Sequence, residues 1–126
     1  MQVPAFLLRR LYVKGSLRRT DDGFAFDLKN SLGSGYAEQV LPLTLDGEAL
    51  PLSSTLFDVG GQTTRFDEVS GARPMTLGMN RTVTIRVGDR PLAPGKHKLG
   101  IGFIVAGIGK MEFDVTDAIE GAGDGG

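Results

Sequence analysis

The chain has 126 residues, 40% of them apolar and 23% charged, and a formal net charge of −1. That length fits one domain with a core of its own, and so small a charge gives no global field for nucleic acid or an acidic membrane surface. With no cysteine there is no disulfide framework, thiolate metal site or cysteine nucleophile, a composition that fits a reducing cytoplasm.

Residues 1–10 read as an apolar arm, Val3-Pro4-Ala5-Phe6-Leu7-Leu8 ahead of Arg9-Arg10. The expectation is either a first strand packed on the core or a docking arm that meets a partner through Phe6, Leu7 and Leu8. No basic residue precedes the apolar stretch, which is shorter than a signal core, so no export signal is expected. Nothing in the chain approaches the ~20 apolar residues of a membrane helix.

Leu11, Val13 and Leu17 then alternate with polar residues, as do Phe24, Phe26 and Leu28. Between them Thr20-Asp21-Asp22-Gly23 predicts a hairpin, since Asp-Gly suits the positive φ of a type I′ turn. Asn30 to Gly35 reads as a loop, with Tyr36 placed in it. Leu41, Leu43 and Leu45 mark the next strand, and Asp46-Gly47 turns it towards Ala49-Leu50. Pro42 and Pro51 put part of this pair at an edge or a bulge, because proline cannot donate to a ladder. Thr55 to Val59 reads as a short strand. Residues 60–78 are irregular, with room for one strand around Thr63 to Phe66.

The last third alternates strictly. Val83, Ile85 and Val87 share one face, as do His97, Leu99, Ile101, Phe103 and Val105, and then Met111, Phe113 and Val115. Period-two spacing of this kind predicts half-buried strands. No helical pattern and no repeat is present. The expectation is an all-β domain over 11–119, an antiparallel β-sandwich of immunoglobulin-like or jelly-roll-like type with roughly seven to nine strands. Residues 120–126 read as a flexible Gly-rich tail.

Candidate chemistry is sparse. His97, the single histidine, could serve as a base or a ligand, or simply hold a neighbouring loop. Asp21/Asp22, Asp67/Glu68 and Asp114/Asp117 lack the spacing of an ion loop; turn chemistry and solvated surface account for them. There is no Gly-x-Ser-x-Gly elbow. Gly100-Ile101-Gly102 starts like a dinucleotide fingerprint, yet no glycine stands at 105 and no helix follows. On the face opposite Leu99 and Ile101, Gly100 and Gly102 leave a flat strip of backbone. It fits either a partner's side chain or close packing inside the sandwich. Arg9, Arg10, Arg18 and Arg19 form a basic cluster without interleaved aromatics, which argues for solvated strand faces or ion pairs rather than nucleic acid. Catalytic, cofactor and metal residues are therefore expected to be absent, with Tyr36 and His97 as weak ligand candidates.

The runs Leu11-Tyr12-Val13-Lys14-Gly15-Ser16-Leu17, Asp22 to Asn30 and Leu43-Thr44-Leu45-Asp46-Gly47-Glu48, with Leu92 to Leu99 later, resemble the small β-subunit family of bacterial C-glycoside deglycosidases. The resemblance spans most of residues 11–117. It implies a non-catalytic β-sandwich subunit beside a larger TIM-barrel α-subunit, which would carry the divalent metal and the base that cleave a 3-oxo-C-glucoside by elimination. It carries no catalytic residue onto this chain. Such a subunit would meet its partner through Phe6, Leu7 and Leu8 or the Gly100/Gly102 strip, and a homo-oligomer through an unpaired edge strand is a further expectation. A free-standing carbohydrate or small-ligand module is the alternative. A hydroxymethylglutaryl-CoA reductase is not expected, because the chain is too short for that enzyme and lacks a nucleotide site.

Overall fold

The computed structural model describes residues 3–31 and 35–119. Among the described residues eleven strands form two antiparallel sheets that face each other across one apolar core. The first sheet runs β1 (Arg18–Arg19), β2 (Phe24–Lys29), β9 (Thr82–Val87), β6 (Thr55–Val59) and β7 (Gln62–Arg65). The second runs β5 (Glu48–Ala49), β4 (Thr44–Leu45), β10 (Gly95–Val105), β3 (Gly35–Val40) and β8 (Met75–Leu77), with β11 (Gly109–Ile119) on the other side of β10. The all-β sandwich read from the alternation is present. The strand number exceeds seven to nine because three strands are only two residues long, too short to leave an alternating signature.

Side-chain alternation builds the core as the period requires. Phe26, Ile85 and Phe57 stand in one row across the first sheet. Leu45, Leu99 and Val115 do the same across the second. Phe24, Phe26 and Phe103 are fully buried. Burying each such side chain is worth about 1.5–3 kcal/mol.

Three local expectations change. The described part of the arm, from Val3 on, is not a strand: Ala5–Leu8 form one helical turn, α1, followed by a 3-10 turn over Arg9–Leu11. Leu8 and Leu11 enter the chain's own core, while Phe6 stays 66% exposed. Tyr36 is not in a loop but on β3, opposite Thr76 of β8. Leu41 to Leu45 is not one strand; β3 and β4 lie along the same side of β10 with Pro42 at the break between them. A proline cannot supply the ladder donor there.

Both Asp-Gly turns exist, for different reasons. Asp46 (φ 52°) and Gly47 (φ 89°) take the positive angles of a type I′ hairpin between β4 and β5. Gly23 closes the β1–β2 hairpin, with Thr20 N–H donating to its carbonyl, yet it is not among the positive-φ residues. A Cβ there would overlap the Val87 carbonyl, so close approach is what requires glycine. Residues 32–34 of the predicted loop and the 120–126 tail lie outside the described residues. Among the described residues no helix is long and apolar enough to cross a membrane.

Candidate functional site

The residues singled out from sequence fall in three regions. Around β11 the N-terminal segment, Gly100 and Gly102 come together; His97 stands at the start of β10, and Tyr36 is exposed on β3.

Gly100 and Gly102 do face away from the core, but Thr44 and Leu41 lie across them. A Cβ at Gly102 would meet Leu41 Cδ1 at 2.8 Å and Glu112 Cγ at 3.1 Å, and one at Gly100 would collide with Thr44 Oγ1. Close packing within the chain therefore explains both glycines. Beside them runs an open groove of about 420 Å³, walled by Ala5 and Arg9 on one side and Pro42 and Thr44 on the other. Its charges cancel locally: Asp114 lies 3.4 Å from Arg9 and 3.6 Å from Lys98. The Arg9 guanidinium also donates to the Asp114 carbonyl at 2.9 Å. Two further members of the basic cluster are held by the chain as well, Arg18 on Asp27 and Arg19 on the Leu92 carbonyl.

His97 has both ring nitrogens occupied. Nδ1 is 2.8 Å from Asp46 Oδ2 and Nε2 is 2.7 Å from the Ala93 carbonyl. Each partner only accepts, and a neutral imidazole has a single N–H, so only the protonated ring satisfies both. Its pKa is accordingly raised, first by the Ala93 carbonyl and then by Asp46. Asp46 is held below the usual carboxylate range by the Lys98 backbone N–H and by His97. The cluster ties the β4–β5 turn to β10 and to the loop before it.

The sequence places Asp117 on solvated surface, whereas in the structure it is a hydrogen-bonded anchor. Its Oδ2 accepts from the Tyr12 hydroxyl at 2.6 Å and from the backbone N–H groups of Gly15 and Leu17 at 3.0 and 3.4 Å. Burial and the bond to Asp117 raise the pKa of Tyr12. This one carboxylate fastens the 12–17 segment to β11. Its sequence neighbours carry no signal of that role, because its partners are about 100 residues away.

Among the described residues no group of three or more His, Cys, Asp or Glu side chains could hold a metal ion. Asp67 and Glu68 serve the turn after β7, bonding Arg65 through its side chain and its backbone.

A family model described as hydroxymethylglutaryl-CoA reductase, N-terminal domain, matches residues 7–120. The match covers both sheets, and the chain belongs to that family. No curated protein sequence matches the chain. The resemblance to the C-glycoside deglycosidase β-subunit is thereby overturned, and with it the sugar-processing lyase complex. The motifs that carried it are turns and alternating strands, which any sandwich with the same hairpins shares. The free-standing binding module has no support from the match either. The short chain is no obstacle to this family, which is an N-terminal domain rather than a whole reductase.

Proposed function

We propose that this chain is the β-sandwich part of a hydroxymethylglutaryl-CoA reductase and contributes a folded surface to that enzyme rather than reacting groups. The family match across residues 7–120 carries the reading. The side chains best suited to chemistry support it, because they are already committed within the fold. His97 is bonded at both nitrogens, and Asp117 receives three donors. A general base needs a free lone pair towards substrate, and both ring nitrogens of His97 already face Asp46 and the Ala93 carbonyl.

The test has two parts. The purified chain is assayed for reduction of hydroxymethylglutaryl-CoA by a nicotinamide hydride donor, and it is titrated against the reductase's catalytic portion from the same source. No turnover by the chain alone, together with saturable binding to the catalytic portion, is the expected result. Turnover by the isolated chain that is lost in His97→Ala would refute a purely structural part. Failure to bind the catalytic portion would refute the shared enzyme.

A further inference from the structure

Strand β11 is the longest edge in either sheet, and its backbone polarity follows from its neighbours. On β10 the carbonyls of Lys98 and Gly102 accept from Asp46 and Leu41, so even-numbered residues of β10 point towards β3 and β4. Gly100 and Gly102 are the partners of Asp114 and Glu112. These are therefore non-hydrogen-bonded pairs, and the even-numbered residues of β11 turn their N–H and C=O groups outward. Arg9 covers one such carbonyl, that of Asp114. Ala118 N–H is taken by the Asp117 side chain. Among the described residues nothing bonds the outward backbone groups of Lys110 and Glu112.

Those two residues border a second open groove of about 520 Å³, whose far wall is Val3, Pro4 and Ala5. Two exposed apolar residues lie near it in the chain: Phe6, 66% exposed, follows Ala5, and Ile108, 41% exposed, stands two residues before Lys110. An edge with free donors and acceptors is a template for another strand.

We propose that a second copy of this chain adds its own β11 here, antiparallel and related by a twofold axis at Met111. In that register Lys110 of each copy stands opposite Glu112 of the other. Both are outward residues, so each pair exchanges two backbone hydrogen bonds, as an antiparallel hydrogen-bonded pair requires. Their side chains lie on one face with opposite charge, a favourable cross-strand pairing. Within one copy the same two side chains already form a 3.5 Å ion pair, so self-pairing builds a four-membered charge network. Centring the axis on Glu112 instead would set that carboxylate against itself. The inference goes beyond the proposed function and does not depend on it.

The test is sedimentation of the full chain from micromolar to millimolar concentration. A concentration-dependent dimer is expected. Lys110→Glu and Glu112→Lys should each weaken it by about tenfold through like charges set opposite one another. The double swap, which restores complementarity, should recover it. Glu112→Pro should abolish it while leaving the melting temperature close to that of the parent, because the lost N–H faces away from β10. A chain that stays monomeric throughout overturns the proposal. So does a dimer indifferent to Glu112→Pro, or single swaps that the double swap does not rescue.

Discussion

Gly23 offers the sharpest single test of the packing account. Its Cα approaches the carbonyl of Val87, a residue that pairs with Phe24 on one side and Thr55 on the other. In Gly23→Ala the new Cβ would overlap the Val87 oxygen, lie 2.9 Å from its carbonyl carbon and lie 3.3 Å from Gly88 Cα. All three obstacles are backbone atoms, so no side-chain rotation relieves them, and β2 must separate from β9. Overpacking that a core can absorb costs about 1–3 kcal/mol; an obstacle built of backbone puts the expected cost at about 3 kcal/mol or more. For a domain of this size that lowers Tm by roughly 10 °C. Gly47→Ala is the comparison, because Gly47 has φ 89° and open space around it. It should lose only about 1–2 kcal/mol, the strain of left-handed backbone on alanine. Thermal melts followed by circular dichroism distinguish the two. If Gly23→Ala melts within about 2 °C of the parent, the claim that close approach demands glycine here is wrong.

Two further outcomes follow from the hydrogen-bonded clusters. His97 has a raised folded pKa, so its contribution is complete below about pH 6.5, the unfolded value, and fades as pH rises through the folded value. Tm of the parent should therefore decline across that window relative to His97→Gln; parallel curves would show that the Asp46–His97–Ala93 cluster adds nothing. Tyr12→Phe removes the donor to Asp117 and should destabilise by about 1–2 kcal/mol in urea unfolding, the worth of a charge-assisted bond at a partly exposed carboxylate. An unchanged midpoint would mean that Gly15 and Leu17 N–H groups alone secure the segment.

Much of the second half of the chain is legible from its alternation. The Thr55 to Val59 run and the alternating faces over 83–87, 97–105 and 111–115 predict strands, and the structure has β6, β9, β10 and β11 there. Those segments are half-buried, so period-two burial writes itself into the side chains. The first half is less legible. Val3 to Leu8 is apolar without a usable period, and only its packing beside β11 makes it a helical turn. Tyr36 lies next to a Gly- and Ser-rich stretch that hides the start of β3.

The candidate site divides the same way. Turn chemistry places Asp46-Gly47 from two adjacent residues, because positive φ is a local demand. The roles of Asp117, Asp114 and His97 depend on neighbours far along the chain: Tyr12 and Arg9 each lie 105 residues from their carboxylates, and His97 lies 51 from Asp46. No local pattern encodes which carboxylate will face which donor once two sheets stack. Alternating residues determined that this chain folds as a sandwich. Only the tertiary structure decided that an N-terminal helical turn covers part of the β11 edge and that, among the described residues, nothing bonds the outward backbone groups of Lys110 and Glu112. That outcome rests on register and on packing across the core, and neither is a property of any one segment.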